Sequence, residues 1–99
     1  MDLAAFASVA AQMMSADSVS LNGQGFPVRP TRSLRLRTVA FNLDGHAYTA
    51  IEQNPDKPSR WGQLARSGHH VVQFKDDASN RFIAVSIDGK VKVYSRPGV

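Results

Sequence analysis

Apolar positions near the start of the chain recur every three or four residues. Leu3, Phe6, Val9 and Met13 would share one side of a helix, and alanine, the best helix former, fills many of the positions between them. This spacing predicts an amphipathic helix over residues 2 to about 14.

The next segment, residues 15–33, has a different composition. Ser, Asn, Gly and Pro dominate it, with Asn22-Gly23 and prolines at 27 and 30, and these residues are typical of loops. A structureless stretch of this length is unusual inside a compact domain. We therefore predict an N-terminal helix and irregular linker over residues 1–32, followed by a single domain over residues 33–99.

From residue 33 onward the pattern changes to short strands separated by turn signals. The segments predicted as strands are 34–43, 46–53, 70–75, 81–87 and 90–94, with a short helix opening after Pro58. The order is ββαβββ behind the N-terminal helix. The predicted fold class is therefore α+β, with a mainly antiparallel sheet and one covering helix.

The apolar alternation changes phase near Thr38, which indicates either a bulge or a strand covered on both faces. In the short helix, Ser59 is placed to cap the first turn and Gly68 to end the last one. Trp61 shares one face of this helix with Leu64 and Ala65 and is expected to be buried.

The last hairpin has two candidate registers around Asp88-Gly89. A two-residue turn would pair Val85 with Lys92, whereas a three-residue loop would pair Val85 with Val91 and collect β-branched side chains on one face. We predict the three-residue loop, with Gly89 in the left-handed position.

Composition limits the chemistry available to the chain. There is no cysteine among the 99 residues, which excludes disulfides, thiolate metal sites and a cysteine nucleophile and favours a cytoplasmic location. The apolar stretch at the start is too short to span a bilayer, and Asp2 stands where a secretory signal would be basic. No membrane association is expected.

The reactive side chains do not form a recognisable catalytic pattern. His69 and His70 are adjacent, so on a strand their rings point to opposite faces and cannot share a metal. His46 and Ser59 stand without the partners that a base or a nucleophile requires. We expect no enzymatic activity, no metal and no cofactor.

Two binding hypotheses remain, and the first is nucleic acid. The net charge is +4, which favours anionic partners. The candidate contacts are all arginines: Arg29, Arg32, Arg35 and Arg37 around the first strand of the body, and Arg60 and Arg66 on the short helix. A charged edge that prevents unwanted strand pairing explains the first group equally well.

The second hypothesis is association with a protein partner or with a second copy of the chain. The N-terminal helix is apolar on one side and carries no Lys or Arg, which favours a protein groove over a membrane surface. The candidate partner-binding residues are Leu3, Phe6, Val9 and Met13. The alternative is that the helix covers its own sheet. Protein association is the preferred function, and nucleic-acid binding is the alternative.

Overall fold

The computed structural model describes residues 2–32 and 36–94. These residues form two helices and seven strands, in the order α1 (Leu3–Met13), β1 (Ser18–Leu21), β2 (Gln24–Pro30), β3 (Arg37–Leu43), β4 (His46–Glu52), α2 (Arg60–Arg66), β5 (Val71–Asp76), β6 (Arg81–Ile87) and β7 (Lys90–Val93). Of the strand predicted from residue 34, positions 34 and 35 lie outside the described residues.

All seven strands belong to one antiparallel sheet in which each strand pairs with the next along the chain. The sheet is thus a meander from β1 to β7, and its two edges are the first and last strands. The predicted α+β class, the N-terminal helix and the ββαβββ order of β3 to β7 with α2 are confirmed.

The predicted irregular linker was wrong, because residues 18–30 form a β-hairpin. Asn22 and Gly23 both have positive φ, at 50° and 80°, as a two-residue type I′ turn requires. Val19 pairs with Phe26 across it, and Val28 pairs with Val39 of β3. The hairpin therefore extends the main sheet.

One face of the sheet is covered by α1, which begins at the capping residue Asp2 and packs against β1, β3, β6 and β7. Because the helix touches both edge strands, the sheet curves around it. The buried side chains from α1, β1 and the central strands form one core cluster: Phe6, Val9, Ala10, Met13, Val19, Leu21, Val39, Phe41, Leu43, Ala50, Val72, Phe74 and Ala84. The helix and the rest of the chain thus share a core.

The opposite face carries α2, which packs near β5. Val71 and Val85 are buried on this face. The Trp61 ring lies 6.3 Å from the ring of Tyr94, and it is half-buried rather than buried as predicted. The predicted caps are confirmed, since the Ser59 hydroxyl accepts a hydrogen bond from the Gly62 N–H and Gly68 has a φ of 96°.

No bulge occurs where the phase change suggested one. The β3–β4 register runs without a shift from Thr38 to Leu43. The register shift in the sheet lies instead between Phe74 and Lys75, where β5 meets β6.

The predicted register of the last hairpin was also wrong. Val85 pairs with Lys92 across a two-residue turn, and both turn residues, Asp88 and Gly89, have positive φ. The type I′ turn matches the twist of the strands. Val91 meets the core face as a neighbour of Ser86, so the turn geometry outweighed the apolar pairing on which the prediction relied.

Candidate functional site

The side chains predicted to bind a partner through α1 are mostly occupied by the chain's own core. Phe6, Val9 and Met13 have no exposed surface, whereas Leu3 is 39% exposed. These three residues therefore fit the alternative prediction, in which the helix covers its own sheet. A partner cannot use them without pulling the helix out of the core.

The arginines proposed to bind nucleic acid are divided between two regions. Arg29 and Arg37 line a cleft of about 250 Å³ with Asp17, while Arg60 and Arg66 lie on α2, beside β5. Arg32 is exposed, and Arg35 lies outside the described residues. The described arginines therefore do not form one continuous line.

Two of these arginines bind the chain's own backbone. The Arg37 guanidinium donates to the Met13 carbonyl at the end of α1. Arg66 donates to the carbonyls of Pro55 and Lys57, at 2.5 and 2.9 Å. Both guanidiniums therefore stabilise the fold by binding backbone carbonyls of other segments. Arg60 instead lies over the Trp61 ring, 5.6 Å from its centroid, in a cation–π contact.

The adjacent histidines contact separate carboxylates. His69 Nδ1 is 2.6 Å from Asp88 Oδ2, and His70 Nε2 is 3.1 Å from Glu52 Oε2. Glu52 also accepts the Arg37 backbone N–H at 2.8 Å. Within residues 2–32 and 36–94, no three His, Cys, Asp or Glu side chains gather as a metal site would need.

Burial alone would raise the pKa of Glu52, but hydrogen bonds and nearby charges lower it by more. The hydrogen bonds from His70 and from the Arg37 N–H, together with the charges of both residues, hold the pKa of Glu52 below its ordinary value of 4.5. The hydrogen bonds from His69 and from the His70 N–H likewise lower the pKa of Asp88. Both carboxylates are stabilised in the charged form, and these contacts connect neighbouring strands and loops.

The Glu52 contacts predict a pH-dependent contribution to stability. Because the folded-state pKa is lowered, the contribution is complete above 4.5 and is lost as the pH falls through the folded pKa. We expect Glu52→Gln to reduce the free energy of unfolding by about 1 kcal/mol at neutral pH. The difference from the unmodified protein should shrink in urea titrations performed at progressively lower pH. A difference that stays constant down to pH ~2 would contradict this role.

The β1 edge of the sheet is covered by a side chain. Gln12 of α1 accepts a hydrogen bond from the Ser20 N–H at 2.7 Å and donates one to the Ser20 carbonyl at 3.1 Å. Its amide thereby takes the place of a neighbouring strand. Exposed strand edges are places where other chains add, and Gln12 blocks this one at its centre.

The β7 edge is different, as the hydrogen-bond pattern of its hairpin shows. The Tyr94 N–H donates to the Ile83 carbonyl at 3.0 Å, and in an antiparallel pair the hydrogen-bonded positions alternate. The pairs Val85–Lys92 and Ile87–Lys90 are therefore the hydrogen-bonded ones, and the N–H and C=O groups of Val91 and Val93 point away from β6.

Nothing in the described part of the chain binds these outward groups. No backbone or side-chain hydrogen bond from residues 2–32 or 36–94 reaches Val91 or Val93 on that side. The Val93 side chain is 50% exposed, and Lys90 and Lys92 are exposed on the other face of the strand. We call this row of four residues, Lys90 to Val93, the β7 edge.

An aromatic and basic cluster lies beside the far end of the β7 edge. Tyr94 accepts a hydrogen bond from Gln73 at 2.6 Å; burial raises its pKa, and the hydrogen bonds from Gln73 and Trp61 only partly oppose this. Trp61 and Arg60 stack on one another next to it. Lys92 shares this face because it lies two positions before Tyr94 on the same strand.

The features that define this site were not predicted from the sequence. The contact between Gln12 and the β1 backbone could not be predicted, because Ser20 was assigned to a linker and not to a strand. The β7 edge is invisible until the strand order is known, because any strand of a sheet can be internal. The alternation Lys90-Val91-Lys92-Val93 was the available signal, and the wrong hairpin register obscured it.

No protein-family model matches the sequence, and searches of curated proteins and of solved structures returned no match. In the described residues, no helix combines the length and apolar character needed to cross a membrane.

Proposed function

We propose that this chain is a small, basic, non-enzymatic binding protein that associates with a protein partner or with itself through the β7 edge. A cytoplasmic location belongs to the same proposal and is favoured by the absence of cysteine. The observation that carries it is the contrast between the two sheet edges: Gln12 covers one, whereas no hydrogen bond from the described residues reaches the outward groups of Val91 and Val93 on the other.

An open edge can bind another chain because its backbone groups are already aligned. An extended segment that adds to β7 would form hydrogen bonds with the outward N–H and C=O groups of Val91 and Val93, which is the β-augmentation mode of recognition. The strand is ordered by its pairing with β6 before binding, so little conformational entropy is lost on the protein side. The buried residues of α1 need not move.

A proline at position 93 tests this proposal selectively. Val93 and Ala84 are a non-hydrogen-bonded pair, so Val93→Pro removes the outward N–H without removing a bond of the hairpin. We expect peptides selected from a random displayed library on the unmodified protein to bind Val93→Pro about tenfold more weakly or worse. Self-association, measured by light scattering, should be lost in the same variant if the partner is a second copy.

The matched control is Val93→Ala, which shortens the side chain but keeps the N–H. It should retain most of the binding that Val93→Pro loses. If no selected peptide distinguishes the two variants, and the molecular mass is that of a monomer for both, association through β7 is rejected.

Nucleic-acid binding is the second candidate, and one observation favours it. Arg60, Trp61 and Tyr94 put a guanidinium and two aromatic rings together beside Lys92, and such a combination can stack on bases and contact phosphates. Binding of labelled single-stranded DNA or RNA that weakens steeply with salt and is lost in Trp61→Ala would support this candidate. Equal binding by Val93→Pro would separate it from strand addition.

A further inference from the structure

We infer that the segment recognised by the β7 edge is an extended peptide in which acidic and apolar residues alternate. This inference rests on the proposed function and specifies the partner's chemistry. It follows from the two rows of side chains that β7 presents to any neighbouring strand.

The first row is basic. Lys90 and Lys92 point to the sheet face that also carries α2, and both are exposed. Directly opposite residues of paired strands share a face, whether the strands are parallel or antiparallel. The residues of an added strand that lie opposite these lysines are therefore favoured if they are Asp or Glu and disfavoured if they are Lys or Arg.

No carboxylate of the hairpin turn competes for these lysines in the described structure. Asp88 precedes Lys90 by two residues, but its Oδ2 is 2.6 Å from His69 Nδ1 and its Oδ1 accepts the His70 N–H at 2.8 Å. Arg60 adds a further positive charge near Tyr94, at the other end of the strand, through its contact with Trp61.

The second row is apolar. Val91 packs against the core cluster, and Val93 is half exposed on the same face. This face meets α1, which contacts β7 and contains no charged residue between Leu3 and Met13. The residues of the added strand that alternate with the acidic ones would therefore contact an uncharged surface, where apolar side chains are stabilised.

The same arrangement disfavours a second copy of the chain. An antiparallel β7–β7 pair that keeps each face aligned can place Lys92 opposite its own copy or place Lys90 opposite Lys92 of the other copy. These two registers are the ones that align three residues of the strand, and both set lysine against lysine, which is destabilising. An acidic segment meets no such repulsion.

Three synthetic peptides of equal length test the inference with the full chain, using the fluorescence of Trp61, the single tryptophan, as the signal. One alternates Glu with Val, the second alternates Lys with Val, and the third has the composition of the first with the glutamates and valines in separate blocks. We expect the Glu–Val peptide to bind about tenfold more tightly than either of the others. Its binding should weaken with added salt and be lost in Val93→Pro.

Charge reversal provides the decisive arm. In the double variant Lys90→Glu, Lys92→Glu, the preference should invert, so that the Lys–Val peptide binds more tightly than the Glu–Val peptide. Circular dichroism of the variant, compared with that of the unmodified protein, establishes that the hairpin is retained. An unchanged preference in a folded variant would overturn the inference.

The remaining outcomes are also informative. If displayed peptides bind in a Val93-dependent way but show no acidic alternation, the inference fails and the proposed function stands. If no peptide binds in a Val93-dependent way, the lysines serve only to guard the edge, and both fail. Two further results would overturn the inference. One is a dimer that dissociates in Val93→Pro. The other is displacement of the Glu–Val peptide by single-stranded DNA from the unmodified and the charge-reversed proteins alike.

Discussion

Phe6→Ala should destabilise the protein by about 3–5 kcal/mol. The Phe6 ring has no exposed surface and is stacked on Phe74, with the centroids 4.6 Å apart and the planes within 5°. It also meets Tyr48 and Phe41 edge-on, at 5.1 and 6.0 Å. Removing it leaves a cavity lined by three rings that are fixed to three neighbouring strands, β3, β4 and β5, and cannot all move inward.

Urea unfolding followed by Trp61 fluorescence measures this effect, because Trp61 lies on the opposite face of the sheet and reports the whole fold. Leu3→Ala is the matched control on the same helix. Leu3 is 39% exposed, so its truncation should cost less than about 1 kcal/mol. Equal effects of the two substitutions would mean that α1 does not share a core with the sheet.

Local signals were sufficient to predict the elements whose ends are marked by specific residues. The Ser59 cap and the left-handed Gly68 located α2. The spacing of Phe6, Val9 and Met13 located α1 and also identified the side of it that is buried. In each case the physical cause lies within a few residues of the feature that it determines.

The β1–β2 hairpin could not be predicted in this way because its strands are short and rich in residues that usually occur in loops. Pro27 lies opposite Ser18 in the β1–β2 pair, although proline has no N–H to donate to a partner strand. The hairpin is stabilised by burial of Val19 and Leu21 beneath α1, and such long-range packing overrides local propensity.

The candidate site depends still more on long-range structure. Lys90 to Val93 was correctly predicted to be a strand, but the sequence could not show that this strand is an edge. Nor could it show that Gln12 closes the other edge, since that contact joins α1 to a strand that was not expected. A sequence pattern does not identify a contact between residues that lie far apart along the chain.

The second large effect concerns Gly62, the one buried residue of α2. A Cβ at this position would lie 2.1 Å from the carbonyl oxygen of Lys57 and 2.9 Å from its carbonyl carbon, far inside contact distance. That carbonyl is held in place by Arg66, which donates to it at 2.9 Å. The loop before α2 therefore folds over the helix at a position where only glycine fits.

Gly62→Ala sets two effects of opposite sign against each other. Alanine is the better helix former by about 1 kcal/mol, but the clash is with backbone that Arg66 fixes, and overpacking of this kind costs about 1–3 kcal/mol or more. We expect net destabilisation in urea unfolding, accompanied by a change in the native fluorescence of the neighbouring Trp61. Gln63→Ala, at an exposed position of the same helix, is the control and should stay within about 0.5 kcal/mol of the unmodified protein.

A Gly62→Ala protein that is more stable than the original would show that the loop does not pack against the helix. Arg66 would then be free to serve as the anion contact that was predicted from the sequence.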